Sequence, residues 1–487
     1  MFSKIKVLLF ENRTLRQTVM KNAFWLNFGE IIGRLIRAII IIYAARVLGS
    51  AGYGVFSYAL SLAAFFAILS DIGVSGILTR EVAKKPDLKT QYLSTIFFIK
   101  IGLLILSIIL IIFIAPIFTK IEVLPLLPII AFLLIFDSLR DFGIAFIRAL
   151  EKMEKEAVIR IFTNVAIVVF GFIAILISPT SRSLTIGYTL GSGLSLVAII
   201  WILREQVGKI FSYFKRELIY PILCSAWPFA LLGLSAGIMI NTDMIMLGWF
   251  RSTEELGFYA AAYRPVQLFW IIPAILASSL FPIFSRLANK DNEKFRSIFE
   301  KAIITVLLIG LPLVAGGLIL SDNIIKIIYG NEYLPSIPVF QILLLTIIFV
   351  YPGALIGNAI FAYDKQKSLI GYSLLGTLGN VFFNFLLIPY WGMVGAAYST
   401  IGTQIIINGF SWWKMKKINN FTILRHLKKI IIATLLMALF VWGLKELGAN
   451  LFINLPLSIL FYLSLLYFLK EPLIIEAKEM SLKLKIK

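Results

Sequence analysis

The chain is 487 residues long, with 60% of them hydrophobic and only 15% charged, against about 25% charged in an average soluble domain, so a soluble fold is excluded. A single cysteine, Cys224, and a single histidine, His426, exclude an intrachain disulfide and a histidine-built metal or acid/base centre, and no Gly-x-x-x-x-Gly-Lys-[Ser/Thr] phosphate loop is present. The formal net charge of +20 suits either a nucleic-acid surface or a membrane topology, and the positions of the bases decide between them.

In chain order, residues 1–21 carry Lys4, Lys6, Arg13, Arg16 and Lys21 with no apolar core and no small-residue cleavage site, so a cleavable signal is not expected and membrane insertion begins with the first span. Apolar windows then predict fourteen transmembrane helices in an all-α polytopic membrane protein. Six of them (22–48, 53–76, 92–114, 123–147, 157–178 and 183–203) form an N-terminal bundle over 22–218. The next six (219–249, 255–285, 297–320, 335–363, 367–388 and 391–413) form a C-terminal bundle over 219–413. A linker and two more spans (426–445 and 450–470) fill 414–470, and 471–487 is expected to be a cytoplasmic tail.

With these spans drawn, 33 of the 46 Lys and Arg fall in the two termini and the even-numbered connections. The odd-numbered connections hold only Arg46, Lys120, Arg182, Arg251, Lys326 and Lys445. The net charge is therefore a positive-inside signature that places both termini in the cytoplasm, and no basic run sits on a soluble module that would bind nucleic acid.

Seven bases remain in or at the edge of spans, and with the acids there they are candidates for function, because a charge at mid-bilayer costs at least about 2.5 kcal/mol. Glu30, Arg34 and Arg37 share one stripe of the first span, and Arg37 lies roughly 16 Å below the outer surface at about 1.5 Å per residue. Asp71 closes the second span, and Lys100 lies about 12 Å inside the third. Asp137, Arg140 and Asp141 share a face of the fourth. Asp243 and Arg264 sit at matching depths in spans 7 and 8, where an ion pair is expected. Prolines at 228, 265, 273 and 312 are placed to bend helices 7 to 9.

Two pairs of stretches repeat at an offset near 200 residues. Leu48-Gly49-Ser50-Ala51-Gly52-Tyr53-Gly54-Val55-Phe56 is echoed by Glu255-Leu256-Gly257-Phe258-Tyr259-Ala260. Ala149-Leu150-Glu151-Lys152, followed by Asn164, is echoed by Ala362-Tyr363-Asp364-Lys365, followed by Asn380. Two six-helix halves in the same orientation account for both pairs.

Ala362-Tyr363-Asp364-Lys365, Leu378-Gly379-Asn380, Asn384, Leu387-Ile388-Pro389 and Gly395-Ala396-Ala397-Tyr398-Ser399-Thr400 resemble the MOP exporter superfamily, and within it the Wzx-type oligosaccharide flippases of polysaccharide biosynthesis. Asp243-Met244-Ile245-Met246-Leu247-Gly248 and Phe281-Pro282 with Ser285-Arg286-Leu287-Ala288 resemble the same group. The resemblance implies two pseudo-symmetric six-helix bundles around a central cavity, alternating access, and an isoprenoid-diphosphate-linked glycan as substrate. It also implies the cytoplasmic membrane of a prokaryote. Membrane lipids and a glycan polymerase or glycosyltransferase are the expected partners, and the chain is expected to act as a monomer.

In that setting Arg34, Arg37, Lys100, Arg140 and Arg264 are the expected diphosphate-binding cations, since guanidinium groups grip phosphate oxygens bidentately. The competing reading has each cation neutralised by an acid that merely locks helices together, and Lys100 has the further option of reaching up to the cytoplasmic interface. Glu30, Asp71, Asp137 and Asp243 are the possible charge partners, or sites for coupling to Na+ or H+; no cofactor and no metal are expected. Two other functions are weighed. A MATE-type cation-coupled drug exporter requires an acidic cavity, which the deep bases oppose. A membrane-bound glycan polymerase or glycosyltransferase requires a long outward loop with catalytic acids, and the longest, near 321–334, offers only Asp322 and Glu332.

Overall fold

The computed structural model describes residues 15–365, 367–423 and 427–476. Residues 1–14, His426 and residues 477–487 lie outside this set, so the expectations placed on them rest on sequence. Among the described residues all regular structure is helical, and nine helices are long and apolar enough to cross a membrane. The chain divides into two compact units, one running to Ala260 with Asn384–Gly392 added, the other comprising Ala261–Phe383 and the chain from Met393 onward.

The first unit opens with α1, Leu15–Leu69, which turns sharply at Gly49 (φ 67°, ψ 178°) between the first two expected spans. The second span then ends earlier than its apolar window suggested. Ile72 and Gly73 adopt positive φ, and a separate helix, α2 (Val74–Lys84), occupies what was read as loop. Its amphipathic pattern explains the difference: Val74, Ile77, Leu78 and Val82 are buried while Lys84 is exposed. α3 (Lys89–Ile109), α4 (Leu127–Ala149), α5 (Met153–Ile177), α6 (Ser181–Ile202) and α7 (Ile219–Phe250) follow, and α8 (Thr253–Phe269) leaves the unit after its first turns.

Small residues decide which of these helices touch. On α1, a Cβ at Gly29 would stand 2.8 Å from the Ala157 Cα, and one at Gly33 would stand 2.6 Å from the Asn164 amide nitrogen. On α6, Gly187 and Gly191 meet the α5 backbone at Phe170 and Ile167 in the same way. Both pairs are small-xxx-small patterns, which let helix backbones approach closely where lipid supplies no hydrophobic drive. Lys21 meets Glu154, Arg37 meets Asn164 and Tyr43 packs on Phe172, so the first arm of α1 and α5 run parallel in one register.

One crossing, between the chain after Gly49 and the start of α8, is reciprocal. A Cβ on Gly54 would fall on the carbonyl oxygen of Thr253, and a Cβ on Gly257 would fall on that of Ser50. Each glycine thus lies against the carbonyl four residues before the other. Nearby, Arg251 donates to the Ile388 and Pro389 carbonyls at 3.1 and 2.7 Å, capping the helical turn that ends there.

In the second unit α9 (Ile271–Leu287), α10 (Asn292–Ile319), α11 (Ser321–Tyr329), α12 (Ile337–Leu345) and α13 (Ile347–Ala362) surround an aromatic core of Phe284, Phe295 and Phe299. α14, Lys367–Ile418, turns at Gly392 (φ 55°), where spans 11 and 12 were expected to meet. α15 (Lys428–Glu446) packs on α10, and α16 (Leu451–Phe468) packs on α15.

Prolines in this unit free backbone carbonyls that tyrosines then satisfy. Pro273 lacks the N–H that would bond to the Phe269 carbonyl, and the Tyr351 hydroxyl donates to that oxygen at 3.0 Å. Pro312 frees the Leu308 carbonyl, and Tyr462 on α16 donates to it at 2.9 Å. Pro273 accordingly sits just beyond the break between α8 and α9, whereas α10 stays continuous through Pro312.

The second repeated motif takes the same local shape in both places. Glu151 and Asp364 each adopt φ 57°, and the next N–H, of Lys152 or Lys365, reaches back to the carbonyl of Ile147 or Ile360.

Candidate functional site

The close approach of α1 to α5 builds a charged seam in the first unit. At the end nearest the start of α5 the buried Lys21 ammonium meets Glu154 at 3.1 Å. Glu156, fully buried in the first turn of α5, then holds two guanidinium groups. Arg148, from the last turn of α4, grips it with both Nε, at 3.0 Å, and Nη2, while Arg160 donates to it through Nε at 2.9 Å. Arg160 also points Nη1 at Glu30 Oε2, 3.6 Å away, and Glu30 Oε1 accepts from Arg34 Nε at 2.6 Å. Arg148, Glu156, Arg160, Glu30 and Arg34 therefore alternate in sign across three helices, with three cations to two anions.

One turn further along α1, Arg37 donates through Nε to the Asn164 side-chain oxygen at 2.7 Å, and Asn164 in turn donates to the Arg160 carbonyl at 2.7 Å. This is half-buried polar ground around Arg37. The exposed faces of Glu30, Arg34 and Arg160 lie alongside it, at 40%, 46% and 33% of full side-chain exposure.

The other candidates of this unit sit on ion pairs. Lys100 is enclosed by protein. It is 2% exposed and its ammonium lies 2.6 Å from Asp71, at the break between α1 and α2, where Ser75 also donates to the same carboxylate oxygen. Arg140 bridges Asp137 at 2.5 Å and Asp141 at 2.9 Å and donates to Ser192 on α6 at 3.2 Å. The neutralised reading thus describes the observed contacts of Arg34, Lys100 and Arg140.

Asp243, buried on α7, accepts from the Tyr259 hydroxyl at 2.6 Å and from the Asn384 amide at 2.7 Å. Arg264 lies in the other unit, half-buried, with Gln267 as a neighbour at 3.4 Å.

Sequence reading missed Glu156 and its two arginines as a unit. Arg148 and Glu156 fall in a stretch counted as an inside loop, and Arg160 was noted only as a base within a span. Two signals were present: the i, i+4 spacing of Glu156 and Arg160, and glycines 29 and 33 interleaved with Glu30 and Arg34 on α1.

A helical membrane chain that carries paired charges deep in its first bundle has the build of a multi-pass transporter. The chain belongs to the polysaccharide biosynthesis protein family, whose model matches residues 19–288, and a MatE family model matches 228–386. It is thereby one of the Wzx-type flippases of the MOP superfamily. It is 25% identical to a putative O-antigen transporter of Shigella flexneri over 78% of this chain and 94% of the relative. It is also 25% identical to the lipopolysaccharide biosynthesis protein WzxC of Escherichia coli K12, over 83% of this chain and 82% of that one. The fold is similar to that of the lipid II flippase MurJ in an inward closed conformation, with a TM-score of 0.75 and 19% identity, covering 92% of this chain and 99% of the other.

Proposed function

We propose that the chain moves a polyprenyl-diphosphate-linked oligosaccharide across the cytoplasmic membrane of a prokaryote by alternating access. In this reading fourteen spans, with both termini cytoplasmic, form two six-helix halves of the same orientation plus two C-terminal helices. The observation that carries it is the seam on α1, where Glu30, Arg34 and Arg37 are half-buried or exposed; at the depth expected for them lipid does not tolerate a charge, which supports a hydrated interior facing them. Guanidinium groups in a partly dehydrated interior suit a diphosphate and oppose a cationic drug. The names of the Shigella and Escherichia relatives support a glycan substrate, and the matching turns at Glu151 and Asp364 support the repeat.

Asp71 and Asp137 hold cations, and Asp243, which accepts from Tyr259 and Asn384, is a further candidate for coupling to Na+ or H+. The matched depths of Asp243 and Arg264 support an ion pair between them as the resting alternative.

The test is reconstitution into liposomes with a defined lipid-diphosphate oligosaccharide and a leaflet-specific lectin. Wild-type protein should move the glycan to the opposite leaflet, and the Arg37→Ala and Arg264→Ala double variant should lose at least about tenfold in rate while remaining folded. Full transport by the double variant would remove the cationic interior from the mechanism.

A further inference from the structure

We propose that Glu30 is an internal stand-in for the substrate's phosphate: its carboxylate occupies an anion site formed by Arg34 and Arg160, and the diphosphate takes that site by displacing it. The inference rests on the flippase reading and names which residues receive the phosphoryl group.

The geometry is that of an anion held between two forks. Glu30 sends one oxygen to Arg34 on its own helix and the other toward Arg160 on α5. The two contacts are unequal: 2.6 Å to Arg34 is a strong charge-assisted hydrogen bond, while 3.6 Å to Arg160 is an ion pair without one. A carboxylate has two oxygens to offer and fills the Arg160 side poorly. A phosphoryl group brings a third acceptor oxygen and more charge, and so matches a two-arginine site better.

The site is also built to survive the exchange. Arg160 is anchored from behind by Glu156, which is fully buried and simultaneously held by Arg148. When Glu30 leaves, Arg160 therefore keeps its position and a charge-assisted bond, and Arg34 and Arg160 together present a net positive face. Glu30 itself is 40% exposed, so neighbouring side chains leave it room to move aside. Arg37, one turn beyond Arg34 and held by Asn164, extends the same line of donors toward a second phosphoryl group. The close packing of Gly29 and Gly33 on α5 brings the two arginines within reach of one anion.

A competitor built into a site has a signature opposite to that of a structural ion pair, because removing its charge should strengthen ligand binding. The experiment measures binding of geranylgeranyl diphosphate and of inorganic pyrophosphate to the purified full chain in detergent by calorimetry, with melting profiles alongside. Glu30→Gln should bind both probes about tenfold more tightly than wild type, as expected from removing one like charge a few ångströms away in a partly hydrated site. Arg160→Gln should bind about tenfold more weakly while remaining folded, since Arg148 still holds Glu156.

Wild-type binding that Glu30→Gln leaves unchanged or weakens would overturn the role of Glu30 while the diphosphate reading stands. Silence of both proteins toward both probes would overturn the two together. Should Glu30→Gln not be recovered folded, Arg160→Gln decides: undiminished binding places the phosphate elsewhere and overturns the proposal.

Discussion

Lys100 keeps its place inside the first unit because Asp71 is there to meet it. The ammonium is almost wholly enclosed while the aspartate is 30% exposed, so the two ends of the pair differ in consequence. Asp71→Asn strands a buried cation and should cost about 3–5 kcal/mol, read as a large fall in melting temperature in detergent. Adding Lys100→Met should recover most of it, because a methionine fills similar volume with no charge to solvate. A double variant as unstable as the single would show that the pair is not what holds α3 to the α1–α2 break. Charges with a partner on their own helix were legible in the sequence, as Arg34 with Glu30 and Arg140 with Asp137 were, because i, i+3 and i, i+4 spacing fixes their reach. Lys100 with Asp71, Arg37 with Asn164 and Arg148 with Glu156 were not, since each needs to know which helix lies next door.

Among the elements, the second unit shows how a bent or proline-bearing membrane helix avoids the cost of an unpaired carbonyl. Lipid offers no donor, so Phe269 and Leu308 draw theirs from Tyr351 and Tyr462. Tyr351→Phe and Tyr462→Phe should each lower stability by about 1–3 kcal/mol, whereas Tyr390→Phe at an exposed site should leave melting unchanged. Equal melting of all three variants would mean that the freed carbonyls find other donors. Sequence located the prolines at 273 and 312 but not their compensation, which comes from tyrosines 78 and 150 residues further along the chain (351 − 273 and 462 − 312). The same limit applies to the end of the second span. Hydropathy carried it to residue 76, while the positive φ of Ile72, which composition does not announce, ended it at Leu69.

For the whole molecule, the arrangement of bases makes a topological prediction that each loop can test. In a Cys224→Ser background, single cysteines at 84, 209, 290 and 416 should react only from the cytoplasmic side and those at 120, 251 and 326 only from outside. A reversal at any one position would break the fourteen-span order. The all-helical, membrane-spanning class was the most readable feature of this chain because lipid imposes a length on apolar segments. Which helices pair was much less readable, since it depends on glycines at close crossings rather than on bulk hydropathy.

One of those crossings bears on how such a chain can change over time. Gly54 against the Thr253 carbonyl and Gly257 against the Ser50 carbonyl form the self-complementary contact that two identical subunits make across a two-fold axis. In a homodimer a single codon would govern both halves of that contact, and any substitution would strike twice. Within one polypeptide the two positions are inherited separately, so the segments on either side of the crossing can diverge everywhere else. At the crossing itself both positions stay bound to glycine, because a side chain on either collides with the backbone of the opposite segment.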